Sequence, residues 1–280
     1  MNWKKSWQKS TAESGNFNQG QIIIENQKIS PWDRKQDHFE TKNLAISAQT
    51  DMGPVRKTNQ DRYGIRSFPG GTVVMGLADG LGGEPGGEMA ARHVMESLEN
   101  WPGPEGKNTT ASLMDFFIRM DRDIAAMGAE QEALSGMATT LILVVVKGRR
   151  AVFAHSGDSR LYHFRAGNLT QITQDQTLAS FLADEGELSG DEAQSHYSRT
   201  VPDQCIGCRD LGPETGEIRL EAGDLLVLTS DGVHGAVEKD AMTHILATEE
   251  SIRRAAARLT GLALAAGGKD NMSVVIAKIH

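Results

Sequence analysis

Acidic residues beside glycine or asparagine recur along the sequence, and their types and positions could support chemistry. They occur in Asn59-Gln60-Asp61, Ala78-Asp79-Gly80, Gly157-Asp158-Ser159, Ser230-Asp231-Gly232 and Lys269-Asp270-Asn271. Each motif alone is typical of a turn. Three of them directly follow apolar runs (VVMGLADG, AVFAHSGD and LLVLTSDG) that have the pattern of strands. A carboxylate at the end of a buried strand is costly unless a positive charge neutralises it.

Several such carboxylates at one end of a sheet would repel one another and raise each other's pKa values. A cluster of hard divalent cations removes this repulsion, and ligands that are all oxygen suit Mg²⁺ or Mn²⁺ better than zinc. The sequence has no His-Glu-x-x-His motif and no paired Cys-x-x-Cys motifs that would indicate zinc. The five acidic motifs therefore predict a site for Mg²⁺ or Mn²⁺.

The elements that must position these motifs can be predicted from hydrophobic periodicity. Strands are expected over residues 44–49, 62–68, 71–78, 137–146, 151–156, 161–165, 169–173, 218–220, 224–230 and 272–279. Helices are expected at about 88–98, 110–131, 177–187, 239–248 and 251–265, and residues 188–214 have the composition of an irregular insertion. Helices segregated from antiparallel strands predict an α+β fold, with two sheets sandwiched between helix layers.

Seven motifs in sequence order carry a resemblance to a known family. They are RKTNQD (56–61), ADGLGGEPGGE (78–88), ATT (138–140), HSGDSR (155–160), LTQITQD (169–175), GDLLVLTSDG (223–232) and KDNMSVV (269–275). In this order the chain resembles the bacterial branch of the metal-dependent protein serine/threonine phosphatases, the PPM family (type 2C). The resemblance covers residues 44–279. It implies a central β-sandwich of two antiparallel sheets flanked by helix pairs.

The resemblance also implies a centre of two or three Mn²⁺ or Mg²⁺ ions at one edge of the sandwich. Asp79 is expected to bridge two ions, one of which the carbonyl of Gly80 also binds. Asp231 and Asp270 are expected to complete the shell of that first ion. Asp61 is expected to hold the second ion, partly through water.

Two further residues match functional positions of the family. Asp158, together with Asp231, matches the position that holds a third metal ion in bacterial members. Arg56 matches the arginine that grips the substrate phosphate, and its guanidinium offers phosphate a bidentate fork that lysine cannot. The resemblance thus implies hydrolysis of phosphoserine and phosphothreonine in proteins by a metal-activated water, without a phosphoenzyme. The expected partners are phosphorylated proteins and an opposing serine/threonine kinase.

Two other functions remain open at this point. A catalytically silent phosphatase-like module could bind phosphoproteins or a regulatory partner, although such relatives typically lose the metal-binding aspartates that this chain retains. A two-metal phosphohydrolase acting on small phosphate esters would share the chemistry but not the order of the motifs. Turnover of phosphopeptides compared with small esters would distinguish this last alternative.

The sequence departs from the family pattern at two places, and the insertion carries a further motif. Leu81 stands where some members have a histidine after Asp-Gly, and His234 is a possible replacement proton donor, although a structural histidine is the simpler interpretation. Asp175 is followed by Gln rather than His, and we expect it to support the site rather than bind metal. Cys205 and Cys208 form one Cys-x-x-Cys motif in the insertion. Two reduced thiols are the simpler interpretation, and a redox pair beside the active-site flap is the alternative.

Composition limits the remaining possibilities. The first 43 residues carry seven Lys and Arg against five Asp and Glu, whereas residues 44–280 carry 22 against 32. This acidic body argues against nucleic-acid binding, and no apolar run reaches the roughly 20 residues of a membrane span. The first 16 residues lack the apolar core of a secretory signal. We therefore expect a cytoplasmic monomer with a polar, flexible tail (1–43) and one phosphatase domain (44–280).

Overall fold

Two antiparallel sheets form the centre of the protein in the computed structural model, which describes residues 34–81, 86–104, 108–208 and 211–280. The strands of the described residues, numbered in chain order, are β1 (Arg34–Glu40), β2 (Leu44–Asp51), β3 (Asp61–Phe68), β4 (Thr72–Leu81), β5 (Ala138–Thr139), β6 (Leu141–Lys147), β7 (Arg150–Ser156), β8 (Arg160–Arg165), β9 (Asn168–Gln171), β10 (Glu214–Arg219), β11 (Leu225–Thr229) and β12 (Met272–Ile279). The first sheet has the order β1-β2-β12-β11-β8-β9. The second has the order β10-β7-β6-β4-β3, with β5 paired to β4.

The helices lie on the outer faces of the two sheets and in the segment after β9. They are α1 (Gly86–Asn100), α2 (Thr109–Glu130), α3 (Leu178–Asp184), α4 (Gly190–Ser195), α5 (Asp231–His234), α6 (Lys239–Thr248) and α7 (Ile252–Ala265). Helices α1 and α2 cover the second sheet, and α6 and α7 cover the first. The predicted α+β sandwich with flanking helix pairs is confirmed. None of the helices in the described ranges is both long enough and apolar enough to cross a bilayer.

Alternation along each strand divides the apolar residues among three cores, because successive side chains point to opposite faces of a sheet. On β4, for example, Met75 and Leu77 face the first sheet, whereas Val74 and Ala78 pack under α1 and α2. The third core lies between the first sheet and helices α5 to α7. The period of two in the sequence therefore encodes the two-sheet arrangement directly.

Strand β1 lies within the segment that was predicted as a tail, before residue 43. Its seven residues pair with β2 from Arg34 opposite Asp51 to Glu40 opposite Ala45, and Phe39 packs against the core between the sheets. The segment is polar because it is an edge strand, so backbone hydrogen bonds hold it while most side chains face away from the core. The rest of the predicted tail, residues 1–33, lies outside the described residues.

The segment 188–214 is less irregular than its composition predicts. Helix α4 begins with a capping box, in which Ser189 accepts from the amide of Glu192 and Glu192 accepts from the amide of Ser189. A 3-10 turn follows at Tyr197–Thr200, and β10 begins at Glu214. The Ser-x-x-Glu spacing was the available sequence signal for this helix start.

A buried carboxylate joins β8 to the start of β11. Asp224 accepts hydrogen bonds from Arg165 (2.6 and 2.9 Å), from His163 (3.0 Å) and from the amide of Glu221 (2.8 Å). Burial acts to raise the pKa of Asp224, but the hydrogen bonds outweigh it and lower the pKa to about 2. The ionised carboxylate therefore stabilises the folded protein above the unfolded-state pKa near 4, and this contribution is lost as the pH falls towards 2.

We expect Asp224→Asn to lower the free energy of unfolding by about 2–4 kcal/mol at pH 7, because the variant loses the buried carboxylate charge that accepts hydrogen bonds from Arg165 and His163. The difference from wild type should shrink below pH 4. Urea denaturation at pH 7 and pH 3 measures it. Glu217→Gln is the matched control, because Glu217 pairs with Arg150 at 2.5 Å on the exposed surface, where solvent screens the ion pair and its loss should change the stability far less. Equal losses in the two variants would contradict the expectation.

Candidate functional site

The five aspartates predicted from the sequence motifs converge at one end of the sandwich. Asp61 begins β3 and lies directly opposite Asp79 of β4 in the strand register. Asp158 follows β7 in the same sheet. Asp231 follows β11 and Asp270 precedes β12 in the other sheet. The site is therefore built from the ends of both sheets.

The carboxyl groups of this cluster are close enough to change one another's ionisation. Burial raises the pKa of Asp61 to about 7 and that of Asp158 to about 7, and the charge of Asp231 adds to both shifts. Burial also raises the pKa of Asp79 well above its usual range, with further contributions from Asp61, Asp231, Asp158 and Asp270. The pKa of Asp231 rises to about 6 through burial and the charge of Asp270. Such a cluster holds its negative charge at neutral pH only with help from positive charge.

Asp61 shows where a cation fits. Its side chain is fully buried, Oδ2 accepts a hydrogen bond from Ser230 Oγ (2.7 Å), and Oδ1 has no hydrogen-bond partner among the described residues. A buried carboxylate oxygen without a donor is costly unless a cation binds it. The neighbouring groups that could act as metal ligands are carboxylates, and carboxylate oxygens suit Mg²⁺ or Mn²⁺.

The carboxylates do not form a preformed cage. Within the described part of the chain, no three carboxylate, imidazole or thiolate groups surround one point at ligand distance. Arg56 occupies one oxygen of Asp270, and Ser230 occupies one oxygen of Asp61. The residues therefore fit ions whose coordination shells also contain backbone carbonyl or water oxygens.

Gly80 lies beside the cluster at a point where two backbones meet. It is buried in β4, and a Cβ atom at this position would overlap the carbonyl of Gly87 in the first turn of α1. Only glycine allows this contact between the strand end and the helix start. Gly80 and Gly87 therefore allow close packing of the two backbones beside the cluster.

Arg56 lies on the loop between β2 and β3, and its half-exposed side chain contacts Asp270 (Nη2 to Oδ2, 2.5 Å). Asn271 holds this loop in place. Its side chain accepts a hydrogen bond from the amide of Gln60 (2.8 Å) and donates to the carbonyls of Met52 (3.0 Å) and Thr58 (3.1 Å). The guanidinium is thus positioned over the carboxylate cluster by the residue that follows Asp270.

A pocket of about 970 Å³ opens over the cluster. Asp158, Asp231 and Asp270 line its floor, and its walls include Arg199 of the 3-10 turn and Lys269. Residues of α3 and α4 also line it, so the segment 178–204 forms one wall. We call this segment the flap. The pocket has both the volume and the positive side chains to admit a phosphorylated peptide side chain.

Comparison with known proteins shows the family to which this chain belongs. The match to the family described as protein phosphatase 2C extends over residues 55–270, well over half of the chain. The chain belongs to the protein phosphatase 2C family. That range contains all seven residues that the sequence motifs single out, from Arg56 to Asp270.

Two relatives show how far the likeness extends for this phosphatase 2C chain. The serine/threonine protein phosphatase PstP of Mycobacterium tuberculosis is 35% identical over 237 residues, which cover 84% of this chain and 45% of PstP. The chain thus spans less than half the length of that relative. The structure of the Streptococcus agalactiae serine/threonine phosphatase has a TM-score of 0.78 and 30% identity, and the match covers 85% of this chain and 100% of that one.

A third comparison concerns the metal. The structure of the catalytic domain of PstP in complex with two manganese ions has a TM-score of 0.72 and 33% identity. The match covers 85% of this chain and 98% of that domain. The metal-dependent chemistry expected from the oxygen ligands therefore agrees with a related phosphatase 2C structure that contains two such ions.

Several residues that support this phosphatase 2C site were not predicted from the sequence. Thr139 Oγ1 donates to the carbonyl of Asp79 (2.8 Å), and Thr140 Oγ1 accepts from the amide of Asp79 (3.0 Å). Ser230 and Asn271 hold Asp61 and the Arg56 loop, as described above. Each of these four residues is polar and lies inside or directly beside a strand whose other residues belong to the core. A polar residue that interrupts an apolar run was the sequence feature from which these supporting residues could have been predicted.

The structure also shows the contacts of Asp175 and His234, the two residues discussed with the departures from the family pattern. Arg160 forms a bidentate ion pair with Asp175 (Nε to Oδ1, 2.8 Å; Nη2 to Oδ2, 2.6 Å), so Asp175 supports the pocket wall through that arginine. The ring of His234 lies 3.0 Å from Thr229 Oγ1. Burial and the charge of Arg160 hold the pKa of His234 well below its usual range, so its ring is neutral at pH 7. This is the ionisation of a structural histidine.

Proposed function

We propose that this protein hydrolyses phosphoserine and phosphothreonine in proteins, using two or three Mn²⁺ or Mg²⁺ ions and no phosphoenzyme. The observation that carries the proposal is the meeting of five aspartates from both sheets at the pocket, with Arg56 in contact with one of them, Asp270. One of the five, Asp61, has a buried oxygen without a hydrogen-bond partner among the described residues. Cations that neutralise the cluster and an arginine that binds phosphate are the two requirements of phosphate-ester hydrolysis.

Each carboxylate has a proposed role. Asp79, whose pKa is raised by burial and by the charges of the four other aspartates, would hold two of the cations, and the carbonyl of Gly80 would contribute to the binding of one of them. Asp231 and Asp270 would complete the ligands of that cation. Asp61 would hold the second cation, and Asp158 would share a third with Asp231. When bound, divalent cations of this kind lower the pKa of a ligated water and offset the negative charge of a phosphate ester.

Arg56 binds the substrate phosphate in this proposal. Its guanidinium already contacts one carboxylate oxygen at 2.5 Å, and a phosphate dianion would offer it a bidentate contact with more charge. Asn271 fixes the loop that carries Arg56, so little conformational entropy is lost when phosphate binds. The arginine therefore orients the phosphorus over the carboxylate cluster.

The wider setting is also a proposal. Relatives are named serine/threonine protein phosphatases, and we propose that this chain acts as a monomer on cytoplasmic phosphoproteins and opposes a serine/threonine kinase. Light scattering tests the monomer. Comparison of phosphoproteins in cells with and without the protein tests the substrates and their location.

Phosphate release from a phosphothreonine peptide tests the proposed activity. The purified protein is assayed with EDTA, Mg²⁺ or Mn²⁺, and a phosphotyrosine peptide of the same sequence and a small aryl phosphate serve as comparison substrates. Cation-dependent release that favours the phosphothreonine peptide supports the proposal. Preference for the small ester would favour a phosphohydrolase of small molecules. No release by folded, cation-loaded protein would overturn the proposal and favour a silent binding module.

We expect Arg56→Ala to lower kcat/KM for the peptide by about 10–100-fold, mainly through KM, because one charge-assisted phosphate contact is lost. The matched control is Lys57→Ala, which removes the neighbouring exposed cation of the same loop. Initial rates over a range of peptide concentrations measure both variants. Equal effects of the two substitutions would show that general positive charge, rather than the contact made by Arg56, assists the reaction.

A further inference from the structure

The two cysteines of the chain form a second chemically reactive feature close to the active site. Cys205 and Cys208 are joined by a disulfide, with their Cα atoms 5.3 Å apart, a separation within the usual range for such bonds. Cys205 is buried and Cys208 is exposed. One sulfur of the pair is therefore accessible to thiols in solution, whereas the other is shielded.

The turn closed by this disulfide contacts both neighbouring elements. Ile206 forms an antiparallel bridge with Thr139 of β5, in which the two residues exchange backbone hydrogen bonds of 2.9 and 3.1 Å. The amide of Gly207 donates to Asp121 of α2 (2.7 Å). Ile206 is also fully buried under the second sheet. The backbone between the two cysteines is therefore fixed against a strand and a helix.

Strand β5 leads directly to the proposed bridging carboxylate. Thr139, the partner of Ile206, donates its hydroxyl to the carbonyl of Asp79, and the amide of Thr140 donates to the same carbonyl (2.8 Å each). One residue thus lies between the disulfide turn and the backbone of Asp79. A change in the position of Ile206 acts on Thr139 and, through it, on the placement of Asp79.

The same turn also ends the flap. Asp203 donates its amide to the carbonyl of Gln176 (2.9 Å), and Leu178 donates its amide to the carbonyl of Val201 (2.9 Å). These bonds close the flap at its base, two residues before Cys205. The disulfide turn therefore lies between the base of the flap and the strand that positions Asp79.

We propose that Cys205 and Cys208 are a reversible thiol–disulfide site whose redox state controls the order of β5 and, through Thr139, the cation affinity and turnover of the active site. This inference rests on the proposed phosphatase function. The oxidised turn holds Ile206 in its bridge to Thr139. The reduced turn loses its covalent closure, so the bridge opens more often.

The chemistry is a two-electron exchange with a small thiol. A thiolate attacks the exposed sulfur of Cys208, the bond between the two cysteine sulfurs breaks, and Cys205 leaves as a thiolate that takes up a proton. A second thiolate then attacks the sulfur of the small thiol that is bound to Cys208, the mixed disulfide breaks, and Cys208 leaves as a thiolate that takes up a proton, which yields two protein thiols and one molecule of the small disulfide. The small disulfide reverses both steps. A four-residue ring constrains the unfolded chain less than a long loop does, so the effect of its closure is expected to be local.

The test uses wild type, Cys205→Ser/Cys208→Ser and Cys208→Ser in buffers of reduced or oxidised glutathione. Amide hydrogen exchange at Thr139 and Ile206 and the Mn²⁺ affinity are measured first, because neither requires turnover. We expect reduction to speed exchange at both amides by about tenfold and to weaken Mn²⁺ binding several-fold in wild type. The double variant should behave like the reduced protein in both buffers. Cys208→Ser also lacks the disulfide and should behave in the same way, so a fold defect specific to the double variant would appear as a difference between the two variants.

Peptide turnover is then compared in the same samples, where we expect kcat/KM to fall about threefold to tenfold on reduction. Equal exchange rates and equal Mn²⁺ affinity in the two redox states of wild type would overturn the proposal. A response of the double variant to glutathione would also overturn it. The absence of any turnover by oxidised, Mn²⁺-loaded wild type would instead refute the phosphatase function. Amide hydrogen exchange and Mn²⁺ affinity would still decide whether the site responds to the redox state of the two cysteines.

Discussion

Asp79→Asn should lower kcat/KM for a phosphothreonine peptide by roughly 1,000-fold or more in saturating Mn²⁺. Asp79 is the carboxylate whose pKa is raised by all four of the others, so it is central to the cluster. Asparagine keeps the shape of the side chain but removes the charge and one anionic ligand oxygen. Phosphate release by the variant, with Mn²⁺ varied over several decades, measures the loss.

A second measurement separates this loss from misfolding. Burial disfavours the charge of Asp79, so the variant in EDTA should be more stable than wild type in EDTA by about 1–3 kcal/mol. Its melting temperature should respond little to Mn²⁺. Asp240→Asn, on the exposed surface of α6, is the control and should retain both activity and the response to Mn²⁺. A variant that is stable, binds Mn²⁺ as wild type does and remains active would refute the proposed role of Asp79.

The stability of the metal-free protein should decrease as the pH rises from about 4 to about 7. The pKa of Asp61 is raised from 3.8 to about 7 by burial, so the unfolded chain ionises this group first and the folded state is penalised across that interval. A shift of this size corresponds to a loss on the order of 4 kcal/mol for one group. Urea denaturation in EDTA at pH 5 and pH 8 measures the difference.

Mn²⁺ should reverse this trend, because a cation at the cluster favours the ionised carboxylates. We expect the stabilisation by Mn²⁺ to be larger at pH 8 than at pH 5, where protons compete for the same oxygens. Asp61→Asn should flatten the pH dependence in EDTA. The buried carboxylate Asp224 acts in the opposite sense and below pH 4, so it does not interfere with this interval. A metal-free protein whose stability is constant from pH 5 to pH 8 would contradict the expectation.

Much of the fold could be predicted from hydrophobic periodicity. Strand β12 was expected at 272–279 and helix α6 at 239–248, and both have these bounds. These elements bury one or two whole faces, which leaves a clear pattern in the sequence. Strand β1 was not predicted because an edge strand is held by backbone hydrogen bonds, and RKQDHFE carries only one residue that packs into the core between the sheets.

The site residues were found by motif rather than by periodicity, and their supporting residues were not found. Asp79 lies near the end of β4 and Asp231 follows β11, so their placement at one end of the sheets could be predicted from the apolar runs that precede them. The three hydrogen bonds of Asn271 go to backbone atoms of a loop more than 200 positions away in the sequence. Such partners exist only after the sheets have assembled. The order of pKa values likewise depends on burial depth, which no local pattern encodes.

The position of β12 has a consequence for the timing of activity during synthesis. This strand lies between β2 and β11, in the middle of the first sheet, although it is the last strand of the described residues. Its first residue comes two positions after Asp270. A ribosome that has delivered residues 34–260 has exposed four of the five aspartates but neither Asp270 nor the strand that fills the gap beside β2. The newborn chain therefore cannot complete its site until Asp270 and β12 have left the exit tunnel.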